Sequence, residues 1–167
     1  DNVQFPSKGV WMEFSGSWRF HDFKHPQGFN GFGDVVMKFK GYIPMGERFV
    51  LVPQFYSRSL IGNGYDQFND LYDSPYENYM GGLLVGRYVE HQLPFIGINK
   101  PEVMYPNLGI FMGEGRVHIA GKHYVSVVAS YAKESNTFMN MFKSPVIRTD
   151  DDVDSMTSYH WWGAGLR

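Results

Sequence analysis

The sequence predicts an all-β protein made of antiparallel strands, and three observations indicate this fold class. Apolar and polar residues alternate with a period of two along several segments, as in a strand whose two faces meet different surroundings. The 167 residues include 19 glycines, 17% are aromatic and only 19% are charged. The sequence contains no run of about 18 apolar residues, which a transmembrane helix would need. These features favour a transmembrane β-barrel, and they leave open a soluble β-sandwich or lipocalin-like barrel.

Length, charge and cysteine content limit the function classes. A chain of 167 residues is one domain or part of one, so residues 1–167 are predicted to form part of a single β-barrel domain. The net charge of −2 argues against a nucleic-acid partner. Because cysteine is absent, disulfide frameworks, thiolate zinc sites, iron–sulfur clusters and cysteine nucleophiles are excluded.

The first predicted strand, 10–20, has the clearest alternation. Its apolar positions include Met12, Phe14 and Trp18, and its polar positions include Glu13 and Arg19. Its length suits a strand that crosses a bilayer, which needs about 9–11 tilted residues. The sequence therefore predicts that one face of this strand meets lipid and the other meets a wet lumen.

The second predicted strand, 34–43, repeats this pattern. Met37 and Phe39 lie on its apolar side, and Lys38 and Lys40 lie on the other side. A turn at 44–47, marked by proline and glycine, separates it from the third strand.

The third predicted strand, 48–58, carries Leu51 on its apolar face. Pro53 lacks the N–H that a ladder hydrogen bond needs, so a bulge or a weakly paired position is expected there. Beyond it the sequence predicts a long connection at 59–78, a short glycine-rich strand at 79–88 and an irregular stretch at 89–106. A strand at 107–119 and a strand at 123–132 follow, joined by a tight turn at 120–122. A polar loop at 133–157 leads to a last strand at 158–167.

Alternation alone does not show whether the apolar face meets lipid or a protein core. Aromatic residues near the strand ends and loops of very unequal length favour a membrane barrel. On this interpretation Met12, Phe14, Trp18, Met37, Phe39 and Leu51 face lipid, and Glu13, Arg19, Lys38 and Lys40 line the lumen. Because the chain ends within a strand, which would leave an unpaired edge, we expect it to be a fragment of a larger sheet.

Several short signatures occur in a characteristic order along the chain. They are Asp22 with Pro26-Gln27-Gly28, the paired segments 32–43 and 48–58, Tyr79-Met80-Gly81-Gly82, Gly86-Arg87-Tyr88, Glu114-Gly115-Arg116 and Gly163-Ala164-Gly165-Leu166-Arg167. This order resembles the outer-membrane assembly and translocation barrel superfamily, the BamA/TamA-like or bacterial surface antigen family. The segment 92–97 that follows Tyr88 is similar to the barrel appended to patatin-like phospholipases of Bacteroidota.

The resemblance implies that the chain is a second-half fragment of about seven to eight strands from a transmembrane barrel of about sixteen. It also implies a place in the bacterial outer membrane, in contact with its lipid and lipopolysaccharide. The implied roles are insertion or translocation of a polypeptide, or anchoring of a fused periplasmic or catalytic domain such as a patatin-like lipid hydrolase. A loop tipped by Gly86, Arg87 and Tyr88 would fold into the lumen, where Arg87 pairs with Glu114 beside Arg116. The family tip reads Arg-Gly-aromatic, whereas this chain reads Gly-Arg-Tyr.

The sequence carries no recognisable catalytic or metal-binding motif. It has no Gly-x-Ser-x-Gly nucleophile elbow and no phosphate-binding loop, and the spacing of its histidines matches no metal-ligand motif. No catalytic residue, metal site or cofactor is predicted, and any phospholipase activity would lie in an upstream domain. Two alternatives stay open: a soluble lipocalin-like barrel that binds an apolar ligand, and a complete small structural barrel of the outer membrane. Whether the chain forms a homo-oligomer is also left open.

Overall fold

The computed structural model describes residues 7–19, 31–62, 78–81, 92–100, 102–121, 123–135, 138–142 and 158–166. Most of them are strand. The strands are β1 (Gly9–Arg19), β2 (Phe32–Pro44), β3 (Phe49–Gly62), β4 (Asn78–Met80), β5 (Gln92–Leu93), β6 (Glu102–Met104), β7 (Asn107–Ala120), β8 (His123–Ser135) and β9 (Ser158–Leu166). A 3-10 helix spans Phe138–Phe142. Among the described residues no helix is long and apolar enough to span a membrane.

Six long strands form the main sheet, in the order β1-β2-β3-β7-β8-β9. Every neighbouring pair in this sheet is antiparallel. The predicted all-β, antiparallel fold class is confirmed at this level. All six long strands were predicted from the period-two pattern, to within a few residues at each end.

The predicted strand over 79–88 is confirmed only at its start, and 82–88 lie outside the described residues. In the structure β4 ends at Met80, and Gly81 follows outside any strand with a φ of +88°. β4 does not join the main sheet: it pairs in parallel with β5 and antiparallel with β6, which makes a second sheet of three short strands. The stretch 89–106, predicted to be irregular, contributes both of those partners.

The expectation at Pro53 is confirmed. The ladder between β2 and β3 pairs Lys40 with Gln54 and next pairs Ile43 with Leu51, so the positions between them are unpaired. The register is the same on both sides of this gap. Because the missing N–H of Pro53 interrupts hydrogen bonding without inserting a residue, the alternation of side chains continues along β3.

The register gives the main sheet two chemically different faces. On one face, here named the apolar face, a row of residues paired from strand to strand crosses the whole sheet: Met12, Phe39, Phe55, Phe111, Tyr131 and Trp162. The other, here named the charged face, carries Glu13, Asp34, Lys38, Lys40, Arg58, Glu114, Arg116 and Glu134.

A docked segment, residues 78–81, 92–100 and 102–106, packs on the charged face. Its apolar side chains Met80, Leu93, Phe95 and Met104 are buried in one cluster with three sheet residues, Leu108, Ile110 and Ala132. The hydrophobic core of the described residues therefore lies between the docked segment and β7–β8. The opposite, apolar face is touched near Gly109 by Met141 of the 3-10 helix.

At Gly163 on β9 the docked segment approaches the sheet so closely that there is no room for a side chain. A Cβ on Gly163 would collide with the backbone carbonyl oxygen of Ile96, whereas a Cβ on Gly113 in β7 would meet nothing within 4 Å.

We therefore expect Gly163→Ala to lower the free energy of unfolding by about 1–3 kcal/mol, as overpacking does, and to speed proteolysis within 92–100. Gly113→Ala is the matched control and should change neither quantity appreciably. Denaturant unfolding combined with limited proteolysis measures both. Equal effects of the two substitutions would show that the approach of Ile96 to β9 is not a constraint on the fold.

Candidate functional site

The candidate site is the interface between the charged face and the docked segment, where most of the buried charges are concentrated. Arg58 is its centre and is only 2% exposed. Its Nε donates a hydrogen bond to Oδ1 of Asp34 at 2.9 Å, and its Nη1 donates to Oδ1 of Asn78 at 3.1 Å. One guanidinium thus connects β2, β3 and the first strand of the docked segment.

The sheet register explains why Arg58 meets Asp34. Asp34 is paired with Leu60, and Arg58 is paired with Val36, so the two side chains are diagonal neighbours on one face. Diagonal neighbours are within reach of long side chains. The planar fork of arginine can also hold two acceptors in fixed directions, which a lysine ammonium cannot do.

Asn78 extends this connection into the docked segment. Its Nδ2 donates to the backbone carbonyl of Tyr105 at 2.9 Å, and Asn78 itself is fully buried. The amide therefore accepts from the sheet and donates to the chain that leaves β6. Since a buried polar group without a partner is costly, this bonding pattern favours one position of the docked segment on the sheet.

Glu134 on β8 anchors the docked segment at a second point. Its two carboxylate oxygens accept from the backbone N–H of Tyr105 and from Nε1 of Trp161, each at 2.8 Å. Further along the same strand, Ser130 accepts from the backbone N–H of Ile96 at 3.3 Å. The docked segment is thus bonded to β8 at two positions and to β3 through Arg58.

Glu114 and Arg116, predicted as part of a lumenal lock, lie on the charged face and are 4% and 8% exposed. They pair with each other: Nη2 and Nε of Arg116 lie 3.1 and 3.2 Å from Oε1 of Glu114. The predicted loop tip, Gly86, Arg87 and Tyr88, lies outside the described residues. An Arg87–Glu114 pair therefore stays a prediction, while Arg116 is an established partner of Glu114.

Three of the residues predicted to line the lumen, Glu13, Lys38 and Lys40, share the charged face with this site. Lys38 and Glu13 form an ion pair at 2.9 Å, and the Lys40 ammonium lies 5.4 Å from the centre of the Tyr42 ring. The backbone of Arg19 pairs with Phe32 at the end of β1, but its side chain lies outside the described part of the structure.

The residues predicted to face lipid all lie on the apolar face: Met12, Phe14, Trp18, Met37, Phe39 and Leu51. Met12 and Phe14 are 72% and 71% exposed. The described residues do not enclose these side chains in a core. Their contact with lipid stays a prediction.

Sequence reasoning did not select Asp34, Arg58, Asn78 or Glu134 as site residues. A signal was present for the first two, because Asp34 and Arg58 occupy polar positions of strands predicted to be neighbours. Asn78 and Glu134 carried no such signal, since each fell at the edge of a stretch predicted to be a loop.

Comparison with known proteins gives no match to a family model, a curated protein or a solved structure. In the described part of the chain, no group of three or more His, Cys, Asp or Glu residues is arranged to hold a metal ion. The functional argument therefore depends on the geometry of the sheet and its docked segment.

We expect Arg58→Met to destabilise the fold by about 3–5 kcal/mol, because removal of one partner from a buried ion pair leaves its charges uncompensated. Lys38→Met, which removes the half-exposed pair with Glu13, should cost no more than about 1 kcal/mol. Denaturant unfolding of the two variants makes the comparison. A cost for Arg58→Met as small as that for Lys38→Met would contradict the anchoring role of Arg58.

Proposed function

We propose that this chain is a segment of a bacterial outer-membrane β-barrel that anchors its protein in the membrane, with the apolar face against lipid and the charged face towards the interior. One observation carries the proposal. With the exception of Trp11, the large apolar side chains that the main sheet exposes all lie on the apolar face: Val10, Met12, Phe14, Trp18, Met37, Ile43, Leu51, Ile61, Phe111, Val117, Ile119, Val125, Val127, Trp162 and Leu166.

The distribution of burial supports lipid as the surroundings of this face. In a water-soluble sheet protein the apolar face packs into a core and the charged face meets solvent. Here Phe111 and Trp162 are 58% and 78% exposed, while Arg58 and Glu114 are buried on the other face. Contiguous exposed apolar surfaces of this extent mark membrane or protein contacts.

The length of the apolar face also suits a bilayer. It runs from Val10 to Trp18 on β1 and from Phe111 to Ile119 on β7, about nine residues on each strand. At ~3.3 Å per residue and a tilt of ~40°, such a stretch spans about 20 Å along the membrane normal, close to the ~25 Å band of outer-membrane barrels.

The apolar surface also runs obliquely to the strand register. Met12 on β1 shares a row with Phe111 on β7. On β1 the exposed apolar residues continue from that row to Trp18. On β7 they continue from it in the opposite direction, to Ile119. An oblique band of this kind is what strands tilted against a flat membrane produce.

The docked segment favours an anchor over an open conduit. It covers the part of the charged face on β7 and β8 with a packed apolar cluster and is held by Arg58, Ser130 and Glu134. An interior filled in this way leaves the membrane contact as the main physical property of the segment. Polypeptide insertion or translocation, and a fused lipid hydrolase, remain roles that the sequence resemblance implies.

The neighbours Trp161 and Trp162 point to opposite faces and test the proposal within one strand. In brominated-lipid vesicles, the fluorescence of a variant that retains only Trp162 should be strongly quenched, because that ring meets acyl chains. A variant that retains only Trp161, whose Nε1 donates to Glu134, should be much less quenched. Equal quenching, or none for Trp162, would reject the membrane assignment.

The anchor role makes a separate prediction for the full-length protein in planar bilayers. Because the docked segment packs over β7 and β8 on the charged face, the protein should show little steady ion conductance. Arg58→Met should increase the frequency of channel openings several-fold by loosening that segment, and Lys38→Met should not. A large conductance in the unmodified protein would favour a conduit over an anchor.

A further inference from the structure

A shallow pocket of about 410 Å³ opens where β8 and β9 meet the end of the docked segment. Among the described residues, its walls are Tyr105, Glu134, Tyr159 and Trp161. Three of these four side chains are aromatic and the fourth is a carboxylate. Neither the proposed membrane contact nor the Arg58 anchor uses this pocket.

Glu134 supplies negative charge to the pocket without a cationic partner. The residue is 4% exposed, and the donors to its carboxylate are the backbone N–H of Tyr105 and the indole N–H of Trp161. Both donors are neutral, and Glu134 forms no ion pair with any residue that the structure describes. Lys133, its neighbour in the chain, lies on the opposite face of β8. A buried carboxylate oriented by neutral donors favours a cation brought by a ligand.

The aromatic side chains suit the same kind of ligand. The rings of Tyr105 and Tyr159 are stacked, with centroids 5.5 Å apart and an interplanar angle of 9°. The hydrogen bond that the Tyr105 hydroxyl donates to Tyr159 and, to a smaller extent, burial raise the pKa of Tyr105, which favours the neutral phenol. The third ring, Trp161, is oriented by its hydrogen bond to Glu134. Aromatic faces attract ammonium groups, and tryptophan does so most strongly.

We propose that this pocket binds a small organic cation of the quaternary ammonium class. The carboxylate of Glu134 balances the charge of the ligand, and the rings of Trp161 and of the stacked pair Tyr105–Tyr159 contact its methyl groups. The inference depends only on these four residues and holds whether or not the apolar face meets lipid. Failure of the lipid-quenching experiment would therefore leave it intact, and the converse is also true.

Choline is the probe that tests the proposal, and its uncharged isostere 3,3-dimethylbutanol is the control. In the variant that retains only Trp161, choline titration should give a saturable change in fluorescence with one site. The isostere should bind at least tenfold more weakly, a difference of about 1.4 kcal/mol. Equal binding of the two compounds would show an apolar pocket without charge recognition, and no saturation with choline would also overturn the proposal.

Two substitutions separate the charge from the aromatic contribution. Glu134→Gln removes the charge and keeps one of the two acceptor oxygens, so it should weaken choline binding at least tenfold and binding of the isostere much less. Tyr105→Leu keeps the backbone N–H that Glu134 accepts and removes one ring, so it should weaken choline binding several-fold in a folded protein. Choline affinity that neither substitution lowers would place the binding elsewhere on the chain.

Discussion

The structure depends on the need to pair charges that lie on a covered sheet face. Asp34, Arg58, Glu114, Arg116 and Glu134 are all buried or nearly so, and a buried charge is tolerated only with hydrogen-bonded partners. Asn78 and the backbone N–H of Tyr105 supply two of those partners from the docked segment. Its position follows from polar bonding, and its apolar side chains then fill the remaining space against β7 and β8.

Much of the main sheet could be predicted because its information is local. Alternation along one strand reveals its two faces without knowledge of its neighbours, so Met12 and Glu13 were assigned to opposite sides correctly. Pro53 was likewise predictable, since the absence of an N–H disturbs pairing in any sheet. That these strands are antiparallel and that none of the six is long and continuously apolar also followed from the sequence.

The docked segment could not be predicted, because its structure depends on contacts between distant parts of the chain. The strands β4, β5 and β6 are two or three residues long, too short for a period to be recognised. The glycines after Tyr79 suggested a continuing strand, but Gly81 packs against Ile98 with a positive φ, and the strand ends before it. The role of Asn78 depends on its contact with Arg58, and the register of the main sheet sets the position of Arg58.

The energetic cost of undocking bears on whether the interior opens. Met80, Leu93, Phe95 and Met104 are each at most 7% exposed. At about 1.5–3 kcal/mol for each such side chain, exposing them to water would cost roughly 6–12 kcal/mol before any polar bond is broken. That cost is comparable to the whole stability of a domain. The docked segment is therefore an integral part of the fold, and any passage along the charged face requires either its partial displacement or a route past it.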